Sequence, residues 1–148
     1  IIDQTEFIAP ENVDVDFLLI DTQGSLTKEM AQFLFQSSLI ITPCRVSRDD
    51  IVGQGWIEVF LKQSNQNIKK APILTVLNGV NKRSSILSHV IEQLKEDGVQ
   101  VAETCISQRV CFAETNVNKI SVIGYNKHAT KEIVDLTNEA LNLIKSEI

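Results

Sequence analysis

The sequence is poor in the residues that mark several special classes of protein. It has three cysteines, two histidines and no Cys-x-x-Cys pair, so neither a zinc site nor a disulfide framework is indicated. We expect Cys44, Cys105 and Cys111 to be buried, reduced thiols. The apolar runs, such as residues 17–20 and 39–41, are too short to span a bilayer. The first residues show no signal-peptide pattern, and we therefore expect a cytoplasmic protein.

The charge balance is moderately acidic. With 14 basic and 19 acidic residues the net charge is −5, which argues against a protein that coats nucleic acid over its whole surface. The net charge does not exclude a local basic patch. The 148 residues suffice for one domain with a sizeable core. Residue 1 is Ile rather than Met, and we expect the sequence to be an excerpt of a longer chain.

Short apolar runs alternate with longer amphipathic stretches, which predicts an α/β fold. Strands are predicted at residues 15–21, 38–43, 72–78 and 99–106, and helices at residues 26–36, 48–63, 84–97 and 129–146. Residues 107–128 are predicted to be irregular, with a short helical turn near residues 112–115. This order implies right-handed crossovers and a mainly parallel sheet with helices on both faces. A ligand would then bind at the carboxyl ends of the strands.

Two local features refine the second predicted helix. Ser47-Arg48-Asp49-Asp50 has the form of a capping box, which predicts the start of the helix. Trp56 falls on an apolar repeat of the same helix, and we expect it in the core.

The strongest chemical motif is FLLIDTQG at residues 17–24. Asp21 follows a run of four apolar residues, the pattern of a buried strand with a carboxylate at its end. In nucleoside-triphosphatases such an Asp holds Mg²⁺ beside the phosphates, usually through a water. Gly24 would let the backbone turn toward a γ-phosphate. On these residues alone, a helix cap or a loop residue is the favoured interpretation of Asp21.

The order of segments after this motif resembles the ParA/MinD family of Walker-type ATPases. Residues 21–24 (DTQG) are similar to the family's Asp-x-Pro-Pro-Gly, one residue shorter and without the prolines. Further similar segments are PILTVLN at residues 72–78, ISQR at 106–109 and FAET at 112–115. The resemblance extends from about residue 15 to the end of the chain. Ser107 stands where the family has proline, so this sequence departs from the family pattern there.

This resemblance implies a P-loop NTPase-like three-layer sandwich, with residues 1–148 forming one domain that is the C-terminal portion of a larger one. It implies ATP and Mg²⁺ as cofactors, with Asp21 as the metal ligand. The residues it assigns are Asp21, Gln23 and Gly24 to catalysis, and Asn78, Ile106, Ser107 and Arg109 to the cofactor. The family's lysine-bearing Gly-rich loop is not in this sequence, so we do not expect the chain to hydrolyse ATP alone.

The resemblance also implies a function and partners. It predicts a homodimeric, ATP-dependent switch for plasmid or chromosome partition that binds a partition partner protein and non-specific DNA. The last helix is not notably basic, which favours DNA over a membrane. Candidate contacts with DNA phosphates are Lys82, Arg83 and Arg109, while Arg45 and Arg48 follow a strand and could face a nucleotide or a dimer partner. Solvated surface charge is the alternative for each of them.

Two other functions stay open at this stage. One is a degenerate, non-catalytic binding subunit that keeps the fold. The other is a receiver-like signalling module, which also has an Asp after a strand. A receiver needs an acidic pair after its first strand, and the sequence has none in the right place.

Overall fold

The computed structural model describes residues 14–22, 33–64 and 71–146. Its strands are β1 (Ile40–Cys44), β2 (Ile73–Val80) and β3 (Ile106–Ser107). Its helices are α1 (Arg48–Ser64), α2 (Ser85–Glu96), α3 (Val110–Val117) and α4 (Lys127–Ser146). Residues 33–36 are also helical, and they are the part of the predicted helix 26–36 that the structure describes.

The three strands form one parallel sheet in the order β1-β2-β3. Ile40 lies opposite Ile73 and Cys44 opposite Leu77, so β1 runs in step with the first part of β2. The predicted α/β class and parallel sheet are thus confirmed for the described part of the chain, at the level of a small three-stranded sheet.

The two faces of β2 pack against different helices because successive side chains of a strand point to opposite sides. On one face, Leu77 and Val80 contact Val90 and Leu94 of α2. On the other face, a separate cluster is formed by Leu74 and Val76 of β2 with Ala140, Ile133 and Leu136 of α4. Helices therefore cover both faces of β2, as the sequence predicts.

The predicted strand 99–106 is much shorter than expected. Only Val101, as an isolated bridge to Thr75, and the two residues of β3 pair with β2. Between them, the backbone N–H groups of Glu103 and Thr104 donate to the Glu139 carboxylate of α4, at 2.7 and 3.1 Å. The prediction of a continuous strand is wrong because these N–H groups bond to a side chain instead of the sheet.

The start of α1 confirms half of the predicted capping box. The Ser47 hydroxyl accepts a hydrogen bond from the N–H of Asp50 at 3.2 Å, as an N-cap does. The Asp50 carboxylate does not return to the N–H of Ser47, and instead accepts from the N–H of Arg45 at 3.2 Å. The loop between β1 and α1 is therefore held at two points.

A buried polar network joins α1 to the sheet. Thr75 donates its hydroxyl proton to Oε1 of Gln54 at 3.2 Å, which leaves its oxygen to accept from Thr42 at 3.0 Å. All three side chains are buried. Each polar group thereby has a partner, which avoids the cost of an unpaired buried group.

Two predictions about apolar residues are wrong. Residues 14–22 form no regular secondary structure and are all exposed, Leu19 by 92%. An apolar segment forms a strand only where a neighbouring strand supplies hydrogen bonds. Within the described residues β1 pairs with β2 alone, so it offers no such partner to residues 14–22. Trp56 is 62% exposed because Ile51, Gln54 and Ile57 form the inward face of α1, which turns Trp56 outward.

The helices either match their predicted ranges or are longer than predicted. Helices α1, α2 and α4 match the predictions to within two residues at each end. The short turn predicted near residues 112–115 is the centre of the eight-residue helix α3. Within the described ranges, no helix combines the length and the apolar character needed to cross a membrane.

The contrast between Leu94 and Trp56 gives a stability test. Leu94 is 1% exposed, so we expect Leu94→Ala to lower the free energy of unfolding by about 2–5 kcal/mol. Trp56→Ala removes a mostly exposed ring, and we expect a loss below about 1 kcal/mol. Urea unfolding followed by far-UV circular dichroism measures both. A larger loss for Trp56→Ala would show that the inward face of α1 is assigned incorrectly.

Candidate functional site

The carboxyl ends of the three strands meet at one edge of the sheet. Arg45 follows β1, Asn81 follows β2 and Gln108 follows β3. The N–H of Gln108 donates to the carbonyl of Val80 at 2.9 Å, which ties the end of β3 to the end of β2. A cleft of about 640 Å³ opens at this edge, lined by Arg45, Val46, Ser47, Gly79, Val80, Asn81, Ser84, Ile86, Leu87 and Gln108.

Local backbone geometry shapes the floor of the cleft. Gly79 has φ 67°, a left-handed conformation that glycine adopts without a Cβ clash, and β2 changes register with β3 at this point. The carbonyl of Asn81 then accepts from the N–H of Ser84 at 2.9 Å. The hydroxyl of Ser84 caps α2 by accepting from the N–H of Ile86 at 3.4 Å.

The lining divides into apolar and polar groups. The apolar wall consists of Val46, Val80, Ile86 and Leu87. Hydroxyl, amide and guanidinium groups come from Ser47, Ser84, Asn81, Gln108 and Arg45, and none of the lining side chains is a carboxylate. Such a surface fits a ligand with a flat apolar part, hydrogen-bonding edges and negative charge.

A buried carboxylate lies next to this edge. Glu132 of α4 is 6% exposed and accepts four hydrogen bonds from two parts of the chain. Ser107 gives two of them, from its N–H at 3.0 Å and its hydroxyl at 2.6 Å. Lys82 Nζ and Arg109 Nη2 give the others, at 2.8 and 3.0 Å. Glu132 thus joins the end of β3 and the loop after β2 to α4.

These contacts decide the ionisation of Glu132. Burial by itself raises the pKa of a carboxyl group, but the hydrogen bonds from Arg109, Lys82 and Ser107 outweigh it and lower the pKa of Glu132 from 4.5 to about 2. The side chain is therefore a carboxylate at neutral pH. Two cations share this one negative charge, so the cluster carries a net positive charge.

The cysteines are not placed for chemistry. All three are buried and free. Burial raises the pKa of the Cys44 thiol, and Asp50 raises it further. Burial likewise raises the pKa of the Cys105 thiol. The predicted role of the cysteines as buried thiols is confirmed.

Of the residues assigned to catalysis the structure describes Asp21, which does not line the cleft. Asp21 is exposed in residues 14–22, outside the sheet. Gln23 and Gly24 lie outside the described residues. In the described part of the chain, no group of three or more His, Cys, Asp or Glu side chains could hold a metal ion. The metal role of Asp21 stays a prediction.

The residues assigned to the cofactor lie close to the cleft but do not line it. Asn78 is exposed and lies opposite Ile106 across the sheet. The side chain of Ile106 packs in the core with Leu74 and Val76. Ser107 and Arg109 bond to Glu132, so the structure gives these two side chains a part in holding the fold.

Sequence reasoning missed Glu132, Asn81 and Gln108. A signal for Glu132 was present, because it is spaced three residues from Ala129 and eight from Ala140 and so shares the inward face of α4 with them. A charged residue on such a face indicates a buried partner. Asn81 and Gln108 gave no signal, because their position at the cleft depends on how β2 and β3 end.

No protein-family model matches the chain, and no curated protein is similar enough to count as a relative.

Removing the Glu132 charge gives a second test. We expect Glu132→Gln to lower the free energy of unfolding by about 3 kcal/mol at pH 7, because Lys82 and Arg109 lose their counter-charge. The folded-state pKa lies below 4.5, so the contribution of the ionised group is complete above pH 4.5 and is lost as pH falls toward about 2. The difference between wild type and variant should therefore shrink across that window.

Urea unfolding at several pH values measures the effect. Glu92→Gln is the control, since Glu92 is exposed on α2 and the substitution changes the net charge equally. A stability difference for Glu132→Gln that stays constant from pH 7 to pH 2 would contradict the assignment.

Proposed function

We propose that this chain forms the base-binding side of the nucleotide site in a ParA/MinD-type ATPase, an ATP-dependent dimerising switch for plasmid or chromosome partition. The observation that carries the proposal is the cleft at the carboxyl ends of three parallel strands. Parallel α/β sheets bind their ligands at this edge, where the loops after successive strands converge. The order of segments along the chain, which resembles the family, supports the same proposal.

The lining chemistry supports a nucleotide as the ligand. An adenine ring can lie against the apolar wall, with its polar edge toward the amides of Asn81 and Gln108. The phosphates then lie toward Arg45 and Ser47, at the end of β1. On the family resemblance alone, we propose that the site binds Mg²⁺ and that Asp21 is one of its ligands. Hydrolysis further requires the lysine-bearing Gly-rich loop, which is not in this sequence.

The wider role follows the same resemblance. We propose a cytoplasmic homodimer that sandwiches ATP, binds DNA without sequence preference and responds to a partition partner protein. Of the basic residues considered for DNA, Arg83 is exposed, while Lys82 and Arg109 already pair with Glu132. The exposed half of the Lys82 side chain leaves it accessible to a phosphate.

A second candidate function is a non-catalytic binding subunit with the same fold. It is favoured by the hydrogen bonds of Ser107 and Arg109 to Glu132, which give these two side chains a part in holding the fold. The receiver-like alternative is disfavoured, because a receiver needs carboxylates at the strand ends and none lines the cleft.

Blocking the cleft tests nucleotide binding. Ile86 lines the cleft and is exposed, so Ile86→Trp places a large ring in the site without disturbing the core. We expect wild-type protein with Mg²⁺ to bind N-methylanthraniloyl-ATP, and we expect Ile86→Trp to weaken binding at least about tenfold. Fluorescence anisotropy measures both affinities.

Val110→Trp is the matched control, because Val110 is an exposed apolar residue outside the cleft. It should bind like wild type. Failure of the wild-type protein to bind the analogue would overturn the proposal. Phosphate release separates the two candidates only in a protein that carries this chain together with a lysine-bearing Gly-rich loop, because hydrolysis requires that loop.

A further inference from the structure

Four cations lie at the edge of the sheet where the cleft opens, namely Arg45, Lys82, Arg83 and Arg109, and of these Arg83 is exposed and does not line the cleft. Lys82 and Arg109 both form ion pairs with Glu132, at 2.8 and 3.0 Å. Arg45 is the one cation among the residues that line the cleft. Across residues 14–22, 33–64 and 71–146, the ion pairs involve Glu132 and Asp135 as acids, and neither is paired with Arg45.

The backbone at Arg45 is fixed although its side chain is exposed. The Asp50 carboxylate accepts the N–H of Arg45, and Ser47 caps α1 through the N–H of Asp50, each at 3.2 Å. The side chain of Arg45 therefore extends from a backbone position that hydrogen bonds hold beside the cleft. An arginine whose backbone is held in place loses less conformational entropy on binding than an arginine on a flexible loop.

The acidic groups near Arg45 do not neutralise it. Asp50 is bonded to the backbone of Arg45, and its carboxylate does not come within ion-pair distance of the guanidinium group. Asp49 is exposed in the first turn of α1. None of the lining residues is acidic. The positive charge of Arg45 is thus available to a ligand in the cleft.

We propose that Arg45 binds a phosphate group of the ligand and makes the cleft selective for nucleoside phosphates over nucleosides. This inference rests on the proposed function, because it concerns the same cleft. The planar guanidinium group can donate two parallel hydrogen bonds to phosphate oxygens, a geometry that Lys cannot reproduce. Selectivity arises because an unphosphorylated ligand has no group for Arg45 to bind.

Arg48 provides a matched control three residues along the chain. It is also an exposed arginine near the start of α1, but it does not line the cleft. Arg45→Ala and Arg48→Ala change the net charge of the protein equally. A general effect of charge on a polyanion would affect both variants alike, whereas a direct contact affects Arg45→Ala alone.

The test is competition of ATP, ADP and adenosine against N-methylanthraniloyl-ATP, measured by fluorescence anisotropy in wild type, Arg45→Ala, Arg45→Lys and Arg48→Ala. We expect Arg45→Ala to weaken ATP and ADP binding about tenfold or more and to change adenosine binding less than about twofold. Arg45→Lys should recover part of the loss. Arg48→Ala should match wild type. Thermal unfolding checks that each variant is folded.

The outcomes separate this inference from the proposed function. If wild-type protein binds neither ATP nor adenosine, the proposed function fails and the inference fails with it. If wild type binds ATP but Arg45→Ala binds it equally well, only the inference is overturned. Equal losses for ATP and adenosine in Arg45→Ala, or equal losses of ATP binding in Arg45→Ala and Arg48→Ala, also overturn it.

Discussion

The carboxylate of Glu132 is the interaction on which the carboxyl edge of the sheet depends. It takes two hydrogen bonds from Ser107 of β3 and one each from Lys82 and Arg109. Because β3 has only two residues, its pairing with β2 alone is a weak attachment. The contact with α4 holds β3 in place, and with it the neighbouring Gln108 at the cleft.

The same cluster sets the distribution of charge around the cleft. Lys82 and Arg109 are paired with Glu132 of α4, whereas Arg45 is the one cation among the residues that line the cleft. The cleft therefore presents a single positive side chain beside amides, hydroxyls and an apolar wall. A cleft of this kind fits a ligand with one charged end and one flat apolar part.

The main helices and the two longer strands could be predicted because their apolar periods agree with their packing. Trp56 was placed wrongly because Gln54, a polar residue, takes an inward position through its bond to Thr75. The length of β3 depends on Glu139, which is distant in sequence, and no local pattern shows such a contact. The edge of the cleft could be predicted from the fold class, but its lining residues could not, because they depend on loop geometry after each strand.

The sharing of one acid by two bases has an evolutionary consequence. Loss of either Lys82 or Arg109 leaves Glu132 with the other cation and with Ser107. The carboxylate therefore keeps one ion pair after a single substitution at either position. Loss of both leaves a buried negative charge without any counter-ion, and the effects of the two substitutions should not add. Homologous sequences can therefore drift at either basic position while the acid is retained.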